Sequence, residues 1–440
     1  MKTHQGIMLL AALFCFSHAC VNAQQLDFPS FRGADGASSS QAKTPTQWTE
    51  ENFVWKTDLP GRGWSSPVHA DGKIWLTTVE EVAETKEEIA KKLKGVTYAT
   101  LKTAVKSIEM FALCIDLKSG SLQKKIPLGK HDDPQLINPM NSFASPTCAI
   151  ADGKVICHFG AHGTWCLDTK TLQKLWHREL VVQHSVGAGS SPVISDGKVI
   201  LVCDGTDAQY VAAVDLKTGD DVWKTDRPPI EKEEGEFRKA YCTPLIAEID
   251  GMRQAIVPGA QWICSYNVET GEEIWRADYG FGFSLTPMAV WSDGLVSFTT
   301  GYMQSEFVSL KPGKGDITDQ IVWRAKSAPE MSSFVTHEGK IYAVSGGKAG
   351  LFQCRDVATG ELIKKVRLLG NVSASVLQSG GHLYVANREG KMKVLECTPE
   401  LKEVGSFNFD SPIYATSTVA GDDLLVRTRD SIIRIGSKSE

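Results

Sequence analysis

Short segments of alternating apolar and polar residues, separated by glycine-containing turns, follow one another along almost the whole chain. The runs at 74–79 and 199–203 are rich in β-branched residues, and Asp-Gly pairs stand at 71–72, 152–153 and 196–197. Two-residue Asp-Gly connections between such runs are typical of β-hairpins. The pattern therefore predicts a chain made mainly of short antiparallel strands.

A unit of roughly 45 residues recurs along the chain. Its opening half reads small-Pro-apolar and then Asp-Gly-Lys, as in Ser66-Pro67-Val68 and Ser191-Pro192-Val193. Further copies begin at Ser145, Thr243, Thr286, Ser333, Ser375 and Thr416. The closing half reads Asp-x-Lys-Thr-Gly before a strand that often contains Trp, as in 215–223. Four strands per unit and eight units predict an all-β, eight-bladed β-propeller of four-stranded blades.

The two ends of the propeller are predicted to share one blade. The last unit offers only three strands, within 415–435, whereas Phe53–Lys56 resembles Val222–Lys224 but precedes the first complete unit. An N-terminal strand in the last blade removes the open edge of an incomplete ring. The recurring tryptophans are expected to wedge between blades, at positions 55, 176, 223, 275 and 323.

An insertion at 80–107 in the first blade is predicted to be helical. Thr85 and Glu88 form a capping box, and Gly95 ends the helix. A second helix is expected through Leu101, Val105 and Ile108. The insertion is expected to pack as a cap on one face of the disc, with partner docking as the alternative.

The N-terminal residues predict export. Residues 1–23 have the cation, apolar run and small-x-small end of a signal peptide, followed by an N-terminal arm at 24–50 and the propeller at 51–436. A periplasmic or extracellular protein is expected. A lipoprotein anchored at Cys20 is the alternative.

Composition restricts the classes of partner. The 440 residues include 42% hydrophobic and 22% charged residues and carry a net charge of −5, which disfavours nucleic acid as a partner. After the first residues, no apolar run approaches the length of a membrane-spanning helix. We expect a monomer that does not span a membrane.

Cysteine usage does not suggest a disulfide framework. Nine of the 11 cysteines follow the signal peptide, and no Cys-x-x-Cys-His motif for covalent haem occurs. The hairpin turn at 152–153 places Cys148 opposite Cys157, within reach of a disulfide. A disulfide and two buried thiols both remain open for this pair.

The longer connections are predicted to gather on one face of the disc, here called the top face. Loops on a rigid scaffold are where binding residues concentrate. The candidate ligand-binding residues on these connections are Trp64, His158, His162, Asp204, Asp207, Lys239, Tyr241, Glu306 and Arg388.

Motifs for specific chemistry are weak. His158 and His162 have a spacing that suits zinc, but no third ligand follows. Asp204 and Asp207 do not have the interleaved ligands of a Ca²⁺ loop. No catalytic residue and no metal ligand are assigned.

The repeat resembles that of the pyrroloquinoline quinone (PQQ)-type propellers, of which the quinoprotein alcohol dehydrogenases are members. The opening 28–36, Phe-Pro-Ser-Phe-Arg-Gly-Ala-Asp-Gly, is similar to the leader of secreted bacterial PQQ-like propellers. The segments at 60–67 and 141–146 are similar to that group too. The resemblance extends over residues 28–435 and implies the fold more than the activity.

The resemblance implies two classes of function. One is a non-enzymatic scaffold like the outer-membrane β-barrel assembly lipoprotein, which would bind a protein or a small polar or glycan ligand without a cofactor. The other is an oxidoreductase using PQQ with Ca²⁺, although the adjacent cysteine pair of those enzymes does not occur here. A polysaccharide hydrolase or lyase using top-face histidines is a further alternative. We expect the scaffold.

Overall fold

The computed structural model describes residues 27–345 and 347–437, which form eight antiparallel sheets arranged as the blades of a propeller. The predicted signal peptide at 1–23 lies outside the described residues. In each blade, the first strand lies beside the central axis and the fourth at the rim. The predicted fold, an eight-bladed propeller of four-stranded blades, is confirmed.

Blades 1 to 4 follow one another along the chain. Their strands are Val68–Ala70, Lys73–Ala83, Val105–Asp116 and Leu122–Asp132; Ala149–Ala151, Lys154–His158, Thr164–Asp168 and Lys174–Arg178; Val193–Ser195, Lys198–Asp204, Gln209–Asp215 and Asp221–Asp226; Leu245–Ile249, Met252–Pro258, Trp262–Asn267 and Glu273–Asp278. A short strand, Gly315–Asp316, extends blade 4 at the rim by pairing with its fourth strand in parallel.

Blades 5 to 8 complete the ring. Their strands are Val290–Ser292, Leu295–Thr299, Glu306–Leu310 and Ile321–Lys326; Val335–His337, Lys340–Val344, Leu351–Asp356 and Leu362–Arg367; Leu377–Ser379, His382–Ala386, Lys391–Glu396 and Glu403–Asn408; Thr418–Ala420, Asp423–Arg427, Ser431–Ile435 and Phe53–Asp58. Single 3-10 turns occur at Glu50–Asn52, Ala99–Leu101, Gly160–His162, Gly235–Phe237 and Thr318–Gln320.

Blade 8 closes the ring with strands from both ends of the chain. Phe53–Asp58 pairs antiparallel with Ser431–Ile435, and Trp55 lies opposite Arg434. The backbone groups of Ser431–Ile435 that would face solvent at an open edge are therefore hydrogen-bonded. This arrangement confirms the predicted closure.

The insertion in blade 1 is only partly helical. A helix at Lys86–Leu93 begins after Thr85, whose side chain accepts a hydrogen bond from the Glu88 backbone N–H, as predicted. The second predicted helix is wrong: Val105 and Ile108 belong to the strand Val105–Asp116, and only the 3-10 turn Ala99–Leu101 precedes it. The apolar positions there fit the inward face of a long hairpin, so sheet pairing prevails over the helical spacing.

Hydroxyl side chains join the blades around the axis. The residue two positions before the first strand of a blade donates its backbone N–H to the hydroxyl of the equivalent residue in the next blade. Ser66 donates in this way to Thr147 at 2.9 Å, and Thr416 donates to Ser66 at 3.1 Å. The hydroxyl residues of this ring are Ser66, Thr147, Ser191, Thr243, Ser333, Ser375 and Thr416. Met288 occupies the position in blade 5. The predicted repeat register is therefore corrected by two residues in blades 2 and 5, where proline precedes the ring position instead of following it.

Tryptophans of the fourth strands pack on the next blade. The Trp223 indole N–H donates to the carbonyl of Val268 at 3.0 Å, and its ring covers Gly271 so closely that an added Cβ would lie 2.5 Å from Cδ2. Trp55, Trp176 and Trp323 make the same contacts. Trp275 instead donates to Gln254 of its own blade. For Trp55, Trp176, Trp223 and Trp323, the predicted wedging thus has a specific partner, the glycine of the Thr-Gly or Ser-Gly turn.

The N-terminal arm lies across the axis on the side of the Asp-Gly turns, here called the bottom face. Phe28 pairs with His69 of blade 1, and the Arg32 guanidinium donates to the Phe334 carbonyl of blade 6 at 2.7 Å. Ser39–Ser40 pairs in parallel with the first strand of blade 7. The arm thereby contacts blades on opposite sides of the ring before it continues to the rim.

Candidate functional site

The nine candidate residues lie in or beside connections of the top face, but they do not converge on one pocket. The structure separates them into a pair near the axis, a buried histidine group, an ion-paired lysine, two aspartates with different partners, and Glu306. Glu306 pairs with Arg324 at 3.6 Å at the start of its strand in blade 5.

Trp64 and Arg388 lie on either side of the loop that follows blade 1. The Trp64 ring stacks on Tyr414 with centroids 4.2 Å apart, and its N–H donates to the Met140 carbonyl at 3.0 Å. Arg388 contacts the Met140 sulfur and donates to the Asn371 carbonyl at 3.0 Å. Loops from blades 1, 7 and 8 therefore meet above the axis.

The candidate histidines are buried beneath the loops of blades 2 and 3. His158 Nδ1 lies 2.8 Å from the Thr164 hydroxyl, and His162 Nε2 accepts from the Gln135 N–H at 3.3 Å. Nε2 of His184 accepts from the Ala161 N–H at 3.2 Å. These contacts stabilise the loops.

Burial keeps these rings neutral at physiological pH. It lowers the pKa of His158 to about 3 and those of His162 and His184 to about 4, because the charged imidazolium would lose its hydration. Tyr241 donates its hydroxyl to the His184 carbonyl at 2.5 Å, which fixes the same loop. This group is suited to structure more than to proton transfer at neutral pH.

Lys239 belongs to a buried ion-pair network between the blade 1 insertion and the blade 3–4 connection. The Glu236 carboxylate forms an ion pair with the Lys239 ammonium and a second one with the Lys102 ammonium, at 2.6 Å. The side chains of both lysines are 5% exposed. The Ser185 hydroxyl donates to the same carboxylate at 2.9 Å. Although burial raises the pKa of Glu236, the hydrogen bonds from the two lysines hold it below its ordinary value. The network fastens loops of three blades together.

Asp204 and Asp207 have separate partners. The buried Asp204 carboxylate pairs with the Arg227 guanidinium through bonds of 2.6 and 3.1 Å. Asp207 accepts from the Gln183 backbone N–H at 2.8 Å in an exposed loop. The two side chains therefore serve different loops and do not form a common ligand set.

An aromatic row on the top face was not foreseen from the sequence. Tyr98 contacts Phe237 with centroids 6.4 Å apart; Phe237 contacts Phe281 and Phe283 at 5.8 and 5.0 Å; Phe283 contacts Tyr302 at 6.3 Å. Tyr98, Phe281 and Tyr302 are 47%, 57% and 46% exposed. Four separate connections supply these rings, so only the Phe-Gly-Phe segment at 281–283 hinted at the row.

The bottom face has an open groove between blades 8 and 1. Its volume is about 360 Å³, and Lys73, Asp116 and Arg434 are among its lining residues. Arg434 pairs with Asp423 at 2.6 Å, and Lys73 donates to the Thr169 carbonyl at 2.6 Å. The groove belongs to the repeat turns, and the charges of Arg434 and Lys73 are engaged within the fold.

The candidate acidic residues do not form a metal-binding group in the described part of the chain. Within 27–345 and 347–437, no three His, Cys, Asp or Glu side chains are grouped so that they could hold a metal ion. The candidate carboxylates Asp204 and Glu306, like Glu236, are directed to cations of the chain itself. The same described ranges contain no helix with the length and hydropathy to cross a lipid bilayer.

Comparison with known proteins identifies the repeat. A family model described as outer membrane protein assembly factor BamB matches residues 138–275, which span blades 2 to 4. No curated protein matches the sequence.

Solved structures share the fold at low sequence identity. BamB from Moraxella catarrhalis is 14% identical with a TM-score of 0.55, and the match covers 74% of this chain and 93% of that one. Quinohemoprotein alcohol dehydrogenase from Comamonas testosteroni is 12% identical with a TM-score of 0.64, covering 94% and 81%. A europium-containing methanol dehydrogenase is 13% identical with a TM-score of 0.60, covering 91% and 90%. At these identities the similarity concerns the fold alone. The resemblance found in the sequence is confirmed in two respects: the chain is an eight-bladed β-propeller, and its residues 138–275 match this family model.

Proposed function

We propose that the protein is a non-enzymatic binding scaffold that holds a segment of a partner protein against the aromatic row of the top face. The observation that carries the proposal is the row itself, in which three exposed rings stand on two less exposed ones, Phe237 and Phe283. Exposed apolar patches on soluble proteins commonly mark contact sites, and aromatic side chains contribute much of the energy at interfaces.

The base of the row is held rigidly. Phe237 follows Glu236 directly, and Glu236 is bound by Lys102 and Lys239. The Lys239 ammonium also lies 5.8 Å from the centroid of the Phe283 ring. A preorganised surface loses little conformational entropy when it binds, which favours affinity.

Charge beside the row favours a basic partner segment. Glu231, Glu233 and Glu234 are exposed in the loop next to Phe281, and Lys232 is the exposed cation among them. A partner that places Lys or Arg beside apolar side chains would match this surface and would bind more weakly at high salt.

The state of the other candidate residues supports a scaffold over an enzyme. His158 and His162 are buried and neutral, and Asp204 and Lys239 are ion-paired. A quinone enzyme and a glycan hydrolase both need polar groups that are free to contact a substrate. Export to the periplasm or the exterior, and a monomeric state, are parts of the proposal.

A displayed library of random peptides tests the proposal. We expect selected peptides to combine Lys or Arg with aromatic or aliphatic residues, and Phe281→Ser to weaken their binding roughly thirtyfold. Val322→Ser is the matched control, since Val322 is 52% exposed on the rim strand of blade 5 and should leave binding unchanged.

Four results would overturn the proposal. One is the absence of peptide enrichment, and another is equal loss of binding in the Phe281 and Val322 variants. The third comes from mixing the protein with PQQ and Ca²⁺: a stoichiometric bound chromophore with dye-linked alcohol oxidation would establish a dehydrogenase instead. Salt-independent glycan binding that requires Phe281 would assign the row to carbohydrate.

A further inference from the structure

Cys148 and Cys157 face each other across the first hairpin of blade 2. The hairpin joins Ala149–Ala151 to Lys154–His158, and Ala149 lies opposite Ile156, so the two cysteines form the next pair along the ladder. Their sulfur atoms are 3.7 Å apart. Both side chains are 0% exposed.

The register places this pair at a position that a disulfide can bridge. In a two-residue hairpin the pairs alternate, and the pair at 148 and 157 is not hydrogen-bonded, with Cα atoms roughly 4.5 Å apart. Disulfides join cysteines whose Cα atoms are about 4.4 to 6.8 Å apart. We infer that Cys148 and Cys157 are a redox modification site that closes to an intramolecular disulfide when the chain folds in the presence of a disulfide oxidant.

The exchange consumes one external disulfide, such as oxidised glutathione. The thiolate of one cysteine attacks one of its sulfurs, and the other leaves as a glutathione thiolate. The second cysteine, after losing its proton to solvent, then attacks the protein sulfur of the mixed disulfide and displaces the second glutathione thiolate. Two protein thiols are oxidised, one external disulfide is reduced to two thiols, and the protons are exchanged with solvent. Because both sulfurs are buried in the folded protein, the step belongs to folding.

Cys166 is the nearest competitor, and the strand register excludes it. Cys166 pairs with Ile156, whereas Cys157 pairs with Trp165, so the two sulfurs point to opposite faces of the blade. Accordingly, Cys157 and Cys166 contribute to different hydrophobic clusters.

Tryptic mapping of the full protein tests the inference. The protein is refolded with oxidised and reduced glutathione or with dithiothreitol, its free thiols are alkylated, and it is digested without reduction. Trypsin cuts after Lys154, between the two cysteines, so a disulfide links the peptides His131–Lys154 and Val155–Lys170. We expect this linked pair after refolding with glutathione and its separation on reduction.

Control variants fix the assignment. Cys166→Ser should retain the linked pair, and Cys157→Ser should abolish it. Alkylation of both Cys148 and Cys157 after glutathione refolding would overturn the inference, as would linkage through Cys166. If Cys157→Ser does not fold, fragmentation of the linked pair from Cys166→Ser locates the bond without it.

Discussion

The contact between Trp223 and Gly271 predicts a stability effect that can be isolated within one blade. Gly271 has φ of +74°, and its α-carbon lies under the Trp223 indole of the preceding blade. Gly251, in the hairpin turn of the same blade, has φ of +72° and nothing within 4 Å of an added Cβ. The two glycines share the same left-handed backbone conformation. They differ in that an indole ring covers Gly271 and nothing covers Gly251.

The expected free energies follow from this difference. Alanine in left-handed backbone costs about 1–2 kcal/mol, which should be the whole effect of Gly251→Ala. Gly271→Ala adds roughly 2–3 kcal/mol, because the methyl group displaces the indole and weakens its bond to the Val268 carbonyl. Trp223→Ala should cost about 3–5 kcal/mol by itself.

Urea unfolding followed by far-ultraviolet circular dichroism measures these values. In the Trp223→Ala background, the cost of Gly271→Ala should fall to that of Gly251→Ala, since no ring remains to be displaced. Equal costs of the two glycine variants in the wild-type background would show that the indole does not restrict residue 271. A cost of Gly271→Ala that is unchanged without Trp223 would show the same.

Two further predictions concern buried charge. Burial lowers the pKa of His162 and His184 to about 4, so the unfolded chain binds more protons than the folded one between pH 4 and 6.5. The free energy of unfolding should therefore be highest above pH 6.5 and fall as pH decreases toward 4, by roughly 3 kcal/mol per histidine. His184→Gln should flatten this pH profile of unfolding, and an unchanged slope would contradict the assignment. Asp204→Asn should cost about 3–5 kcal/mol by leaving Arg227 buried without its partner. Asp196→Asn, which breaks an exposed pair, should cost under about 1 kcal/mol, and similar losses for both would contradict the burial argument.

The repeat made the architecture predictable because each blade has the same local requirements. Alternating strands, Asp-Gly turns and a Trp above a turn glycine recur with the structural unit. The sequence predicted less well which residue of each repeat joins the hydroxyl ring around the axis. Thr147, two residues after Ser145, occupies the position equivalent to Ser66. A hydroxyl residue occupies this position in every blade except blade 5, where Met288 stands, and proline can stand on either side of it.

The proposed binding surface could be anticipated from the sequence only as a face of the disc. Polar residues such as His158 and Asp204 stood out in the sequence, but their partners come from distant loops and bury them. The aromatic row needs Tyr98 of the blade 1 insertion to meet Phe237 of the blade 3–4 connection. Such a meeting depends on tertiary structure and leaves no periodic signal in the sequence.

The shared blade also has a consequence for biosynthesis. Phe53–Asp58 emerges from the ribosome long before its neighbour, Ser431–Ile435. During translation this early strand has no partner, and the growing arc of blades has two unsatisfied ends. The ring must therefore close only after nearly the entire polypeptide has been made. A nascent chain stalled before residue 431 would keep an unpaired, aggregation-prone strand edge that chaperones must shield.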